Sequence, residues 1–170
     1  MKPAFITLFA VCACGGSGPR TQPASLEDLA FETPAAWKHT DVIESSRHVS
    51  RWMPSENTAK ESISVIRTAL RGTVSHPDNK TLTAMLADAQ RSLPQGHFPP
   101  PVTMQTRTGL TAIVVDGSFT PPGQHERYRR VHALVVDGTE VVHVLYTARS
   151  AEPDLASFHL VLDTLHREQG

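Results

Sequence analysis

Residues 131–146 read VHALVVDGTEVVHVLY, a run rich in β-branched side chains that is broken once, at Asp137-Gly138. That dipeptide between two apolar runs is a strong short-range signal for a two-residue hairpin loop. With Asp137 and Gly138 as the loop, Val131 to Val136 pairs with Thr139 to Val144. Val136 then faces Thr139, Leu134 faces Val141 and His132 faces His143. One face of the hairpin carries Val131, Ala133, Val135, Val142, Val144 and Tyr146, and the other Leu134, Val136, Val141 and Leu145. Both faces are apolar, so the hairpin is expected to be covered on both sides.

The cover is legible on either flank. Leu82, Met85, Leu86, Ala89 and Leu93 recur at helical spacing, with Asp78 or Thr81 as cap and Pro94 as stop. Leu155, Phe158, Val161, Leu162 and Leu165 repeat the pattern at the end of the chain, with Ser150 as the expected cap and Pro153 in the first turn. Further strands are predicted at Val102 to Arg107, Glu61 to Thr68, Arg47 to Met53, around Phe31 to His39, and at Leu110 to Phe119, where Asp116-Gly117 reads as a bulge or second turn. Strands joined by short turns pair antiparallel, because parallel pairs need long crossovers. The expected class is α+β: an antiparallel sheet of five to seven strands flanked by helices, in a single domain over residues 26–170.

This order of elements, with Phe31, Pro34 and Trp37 early, Gly109 before a central strand, and Phe158 and Leu162 on a closing helix, resembles the PsbP-like α/β/α sandwich family over most of residues 29–166. The resemblance implies a layered sandwich, and many bacterial members of that family are small envelope lipoproteins. It carries over no catalytic residues.

The N-terminal residues MKPAFITLFAVCAC place one charge, Lys2, before an apolar stretch from Ala4 to Val11. At roughly 8 residues, against the roughly 20 needed to cross a bilayer, the stretch reads as a signal peptide and not a membrane span. Val11-Cys12-Ala13-Cys14 resembles the lipobox of bacterial lipoproteins. It implies a signal peptide over 1–13 and acylation of Cys14, which follows the small Ala13; Cys12 follows Val11. Gly15 in the next position resembles lipoproteins sorted to the outer membrane. An ordinary signal peptide cleaved near Ala13, releasing a soluble periplasmic product, is the alternative. Residues 15–25, GGSGPRTQPAS, read as a flexible tether after the acyl anchor. Both cysteines lie in the first 14 residues, so the domain has no internal disulfide, no cysteine nucleophile and no cysteine-based metal site. With 16 Lys+Arg against 17 Asp+Glu, the chain has no basic field for a nucleic acid partner.

Nine histidines make a metal worth testing. His132 and His143 are the candidate pair, since cross-strand imidazoles could share an ion, but no third ligand is assigned to their face. His159, Asp163 and His166 fall on one polar face of the last helix, without a His-Glu-x-x-His pattern. Arg127, Arg129 and Arg130 surround Tyr128 and form a candidate anion patch, although strand alternation puts Arg130 on the opposite face. Trp37 and Trp52 read as packing residues. Nucleophile elbow, P-loop and dinucleotide motifs are missing from the sequence. The resulting expectation is a non-catalytic envelope lipoprotein that binds a partner, most naturally another envelope protein, and needs no cofactor. The alternatives are a metal-dependent or hydrolytic enzyme using the histidines, and a purely structural subunit of an envelope complex.

Overall fold

Two antiparallel sheets and two helices organise the chain in a computed structural model that describes residues 20–44, 47–56, 60–69, 77–137, 140–149, 153 and 155–168. In chain order the elements are β1 (Thr21–Leu26), β2 (Leu29–Pro34), β3 (Trp37–Glu44), β4 (Arg47–Pro54), β5 (Ser62–Ala69), α1 (Asn79–Arg91), β6 (Val102–Gln105), β7 (Thr111–Phe119), β8 (Tyr128–Asp137), β9 (Glu140–Ala148), α2 (Ala156–Thr164) and β10 (His166–Arg167). Seven strands form the large sheet in the order β3-β4-β5-β9-β8-β7-β6, and β1-β2-β10 form a small one. The α+β class and the antiparallel pairing match the sequence reading.

The hairpin β8–β9 is present, in a different register. Asp137 pairs with Glu140, and residues 138 and 139, which include Gly138 of the expected loop, lie outside the described residues; His132 stands opposite Leu145, and His143 opposite Leu134. Each residue's partner moves by two positions, so every side chain keeps its expected face. The reason lies in Glu140. The expected register would set its carboxylate beside Val135, whereas the observed one carries it to the end of the sheet and pairs Val135 with Val142 and Val136 with Val141.

Asp116-Gly117 makes neither bulge nor turn: the β7–β8 register runs unbroken from Ala112↔Val135 to Phe119↔Tyr128. Gly117 is there for clearance. A Cβ at this position would lie 2.2 Å from Phe98 Cδ1 and 2.5 Å from the His97 carbonyl oxygen, because the chain at His97 bridges to Ser118 by two backbone hydrogen bonds of 2.8 and 3.0 Å.

The stretch from Phe31 to His39 is two strands in two sheets, turning at Ala35-Ala36. The expected tether is also partly structured, since Thr21 to Ser25 belong to β1, with Ala24 packed on the core and Leu26 buried. Pro23 is tolerated because β1 is an edge strand. Cys14 and residues 15–19 lie outside the described residues. In α1, Asp78 is the cap, accepting the Thr81 N–H at 2.8 Å. The second helix starts later than expected, with Leu155 at its N-cap and no side-chain cap bond; Ser150 lies outside the described residues.

Each face of the large sheet has its own core. Leu82 and Leu86 of α1 pack on Ile113, Val115, Leu134 and Val141. On the other face Phe158, Val161 and Leu162 of α2, with Leu29 and Phe31 of the small sheet, cover Trp52, Val131, Val144 and Tyr146. Of the stripes read from the sequence, Leu82, Leu86, Phe158, Val161, Leu162 and Leu165 bury and Met85 and Leu155 half-bury, whereas Ala89 is exposed and α1 ends at Arg91, before Leu93.

Candidate binding cleft and polar clusters

A cleft of about 750 Å³ opens where the small sheet ends at β1, beside the β3–β4 corner of the large sheet. Phe31 and Trp52 floor it, meeting edge to face with centroids 5.0 Å apart. His39 stands opposite Trp52 in the β3–β4 register and stacks on it, centroids 4.7 Å apart. The imidazole Nε2 is 3.1 Å from Asp41 Oδ1, which also accepts the Ser50 hydroxyl at 2.7 Å. Here the carboxylate sits between serine and histidine. In a serine hydrolase the imidazole must sit between the other two, so the group orients His39 and does not activate Ser50.

Gln22, Ser25, Glu32, Thr164, His166 and Glu168 supply the polar rim of the cleft, and its lining contains no Lys or Arg. The Gln22 amide donates to the carbonyls of Pro34 and Trp37 at 3.3 and 2.9 Å, tying β1 to the start of β3. Thr164 Oγ1 accepts the Glu32 N–H at 2.8 Å, tying α2 to β2. Pro23 takes one donor from the backbone of the edge strand, so β1 is a poor template for strand addition. What the cleft offers is therefore side chains: the exposed His39 ring over the buried Phe31–Trp52 pair, within a polar rim. Sequence reading placed Trp52 correctly as a packing residue, at 3% exposure, but could not see that its neighbours leave a cleft above it.

His132 and His143 do meet, diagonally and not as direct partners: His132 Nε2 and His143 Nδ1 are 3.1 Å apart and share one hydrogen bond. Two imidazoles fall short of the three protein ligands of a working zinc site, and no group of three His, Cys, Asp or Glu converges on an ion among the described residues. Burial, then His143, then Arg130 hold the His132 pKa well below its ordinary 6.5. Unfolded His132 takes up a proton as the pH falls through about 6.5, whereas the folded form does so only at lower pH, so stability should fall across that step. Denaturant midpoints measured from pH 7.5 to 5 should fall for the wild type and fall less for His132→Asn. Parallel profiles would show that the buried imidazole is not the titrating group.

The arginines divide as alternation requires. Arg130 lies on the α1 side, 5.3 Å above the Phe119 ring, and donates to Thr147 Oγ1 at 3.2 Å. Arg127 and Arg129 line a pocket on the other side with Asp116, Ser118, Glu126 and Arg149. Arg149 escaped the sequence reading because only the observed register, with Arg129 opposite Ala148, brings it alongside. The expected His159/Asp163/His166 helix face is broken up. His159 and Asp163 are on α2, Asp163 pairing with Arg107 at 3.4 Å, but the helix ends at Thr164 and His166 joins β10 opposite Ala30.

The sequence matches no protein-family model and no curated protein. Solved structures do resemble the fold. Cyanobacterial PsbP from Synechocystis aligns with a TM-score of 0.59 at 15% identity, covering 92% of this chain and 98% of its own. The fold is PsbP-like. LpqN of Mycobacterium tuberculosis, described as involved in cell envelope biogenesis, gives a TM-score of 0.59 at 13% identity, with 88% and 91% of the two chains covered. A Pseudomonas aeruginosa protein of unknown function gives 0.50 at 19%, with 79% and 85% covered. At these identities the likeness concerns architecture, as the element order from Phe31 to Leu162 implied.

Proposed function

We propose that this chain is an envelope lipoprotein, acylated at Cys14 and facing the periplasm from the outer membrane, whose PsbP-like domain acts by binding another envelope component and not by catalysis. The observation that carries the reading is the cleft beside β1, whose exposed His39 ring, stacked on Trp52 and set in a polar rim, supports a binding role. The His39–Asp41–Ser50 group beside it has the wrong order for nucleophilic attack. His132 and His143 are engaged with one another, and Arg129 and Arg149 with carboxylates. Two further points support the envelope setting: the lipobox-like Cys14 segment, and an architecture shared with a protein of cell envelope biogenesis. Among the described residues no helix is long and apolar enough to cross a membrane, so the acyl anchor is the attachment proposed.

The test uses the full chain in cells. A photo-crosslinking residue at Ser25 or Glu168, both exposed on the cleft rim, should capture a discrete envelope partner, and the same residue at exposed Thr83 on α1 should not. Cys14→Ala should abolish labelled palmitate incorporation and release the chain from the membrane fraction. Equal capture from all three positions, or membrane retention without Cys14, would overturn the proposal. Turnover of a substrate that is lost in His39→Ala would move the assignment to an enzyme.

A further inference from the structure

We propose that the pocket between the ends of β7, β8 and β9 is an oxyanion site, in which Arg127 and Arg149 take a phosphate or carboxylate group and Glu126 occupies the place of that ligand when it is absent. The pocket measures about 540 Å³ and lies at the far end of the sheet's α2-facing side. The register Ser118↔Arg129↔Ala148 sets the end of β9 beside Arg129, and Arg149, one residue past β9, and Arg127, one residue before β8, line the same pocket. Guanidinium forks from three backbone positions thus converge on one concavity, the arrangement that suits bidentate oxyanions.

Their pairings are unequal, and the inequality assigns roles. Arg129 is held by Asp116 through two bonds, Nε to Oδ1 at 2.8 Å and Nη2 to Oδ2, with both side chains about one-third exposed. That pair is fixed and forms the wall. Arg149 meets Glu126 through a single nitrogen, with side chains 38% and 47% exposed. Such exposed pairs contribute little net stability, so an incoming anion can exchange with Glu126 at little cost. Arg127 is exposed and makes no ion pair among the described residues. Three guanidiniums against two carboxylates leave the pocket cationic in a chain whose overall charge is −1. The Glu126 carboxylate on Arg149 is itself a stand-in for the ligand group.

The chemistry fits a phosphate or carboxylate on a small molecule and equally one on a lipid headgroup, and the experiment separates them. Full-length protein in zwitterionic detergent micelles is titrated with inorganic phosphate at constant ionic strength, and separately with phosphatidylglycerol doped into the micelles. Backbone amide shifts of Gly117, Ser118 and Tyr128 report binding. Saturation with free phosphate identifies a small-anion site; saturation with the doped lipid alone identifies a headgroup site. The double variant Arg127→Ala with Arg149→Ala should weaken binding at least about tenfold, by loss of two charge-assisted contacts. Glu126→Gln should tighten it several-fold, because the internal competitor is gone. Tightening by Glu126→Gln distinguishes a ligand site from a surface ion-pair cluster. Shifts that never saturate in either titration, or a Glu126→Gln variant that binds no better than wild type, would overturn the proposal.

Discussion

Replacing Phe158 with Ala is expected to cost about 3–5 kcal/mol of unfolding free energy, the range of a buried phenylalanine whose cavity cannot close. The helix that carries it is only 9 residues long and has no side-chain cap bond, and isolated helices this short are marginal in water. Its stability therefore comes from burial. Phe158 is 1% exposed, and Val161 and Leu162 are fully buried beside it against β2 and the large sheet. Loosening α2 also frees Thr164, whose hydroxyl holds the Glu32 N–H, and β10, which pairs with β2 immediately afterwards. The small sheet and the rim of the cleft should loosen with it. Urea unfolding of Phe158→Ala gives the magnitude, and hydrogen exchange at Glu32 gives the coupling. A loss below about 1 kcal/mol would make α2 a peripheral attachment.

Most of the fold was readable because it rests on short-range periodicity. Leu82 and Leu86 bury on α1, and Phe158, Val161 and Leu162 on α2, because a helix has one face to give the sheet. Valines at alternate positions in β8 and β9 kept their faces although each partner lies two positions from the expected one, since a two-residue shift preserves parity. Two things were not readable. The small sheet was missed because Thr21 to Ser25, rich in Pro, Ser and Thr, looks like a linker; only its pairing with β2 gives Ala24 and Leu26 a core to face. The cleft was missed for a similar reason, and the arginine pocket was legible only in part, through Arg127 and Arg129. His39 and Trp52 are 13 positions apart and meet through a register, and Arg149 reaches Arg129 through another. A polar residue on a strand does not advertise its cross-strand neighbour. Gly117 illustrates the same point in reverse: its close approach to His97 and Phe98 is a tertiary requirement that read locally as a turn.

Arg67→Met is expected to cost about 2–3 kcal/mol at neutral pH, and the loss should largely disappear in acid. Arg67 projects from β5, 13% exposed, to Glu27 and Asp28 of the β1–β2 turn and to Glu140 at the start of β9. It therefore staples the small sheet to the large one at the end opposite Gln22. Its turn needs holding, because Glu27 adopts φ +58°, a left-handed conformation disfavoured for a residue with a Cβ. Removing one member of a buried ion pair costs about 3–5 kcal/mol; here the carboxylates are 24% to 66% exposed and water takes over part of their solvation, which reduces the figure. Methionine retains the apolar stem, so the difference reports the guanidinium. The acid limb follows from Asp28. Its hydrogen bond to Arg67 holds its pKa below the ordinary 3.8, with the nearby charges of Arg67 and Arg167 acting in the same direction. A carboxyl with a depressed folded pKa adds stability above its unfolded value, and that stability fades as the pH falls from about 3.8 through the lower folded value. Unfolding of wild type and Arg67→Met should thus differ most near pH 7 and converge as the pH drops below Asp28's folded value. An equal difference at both ends of the range would mean that Arg67 acts through the packing of its side chain, and that the two sheets are held together by the apolar core beneath it.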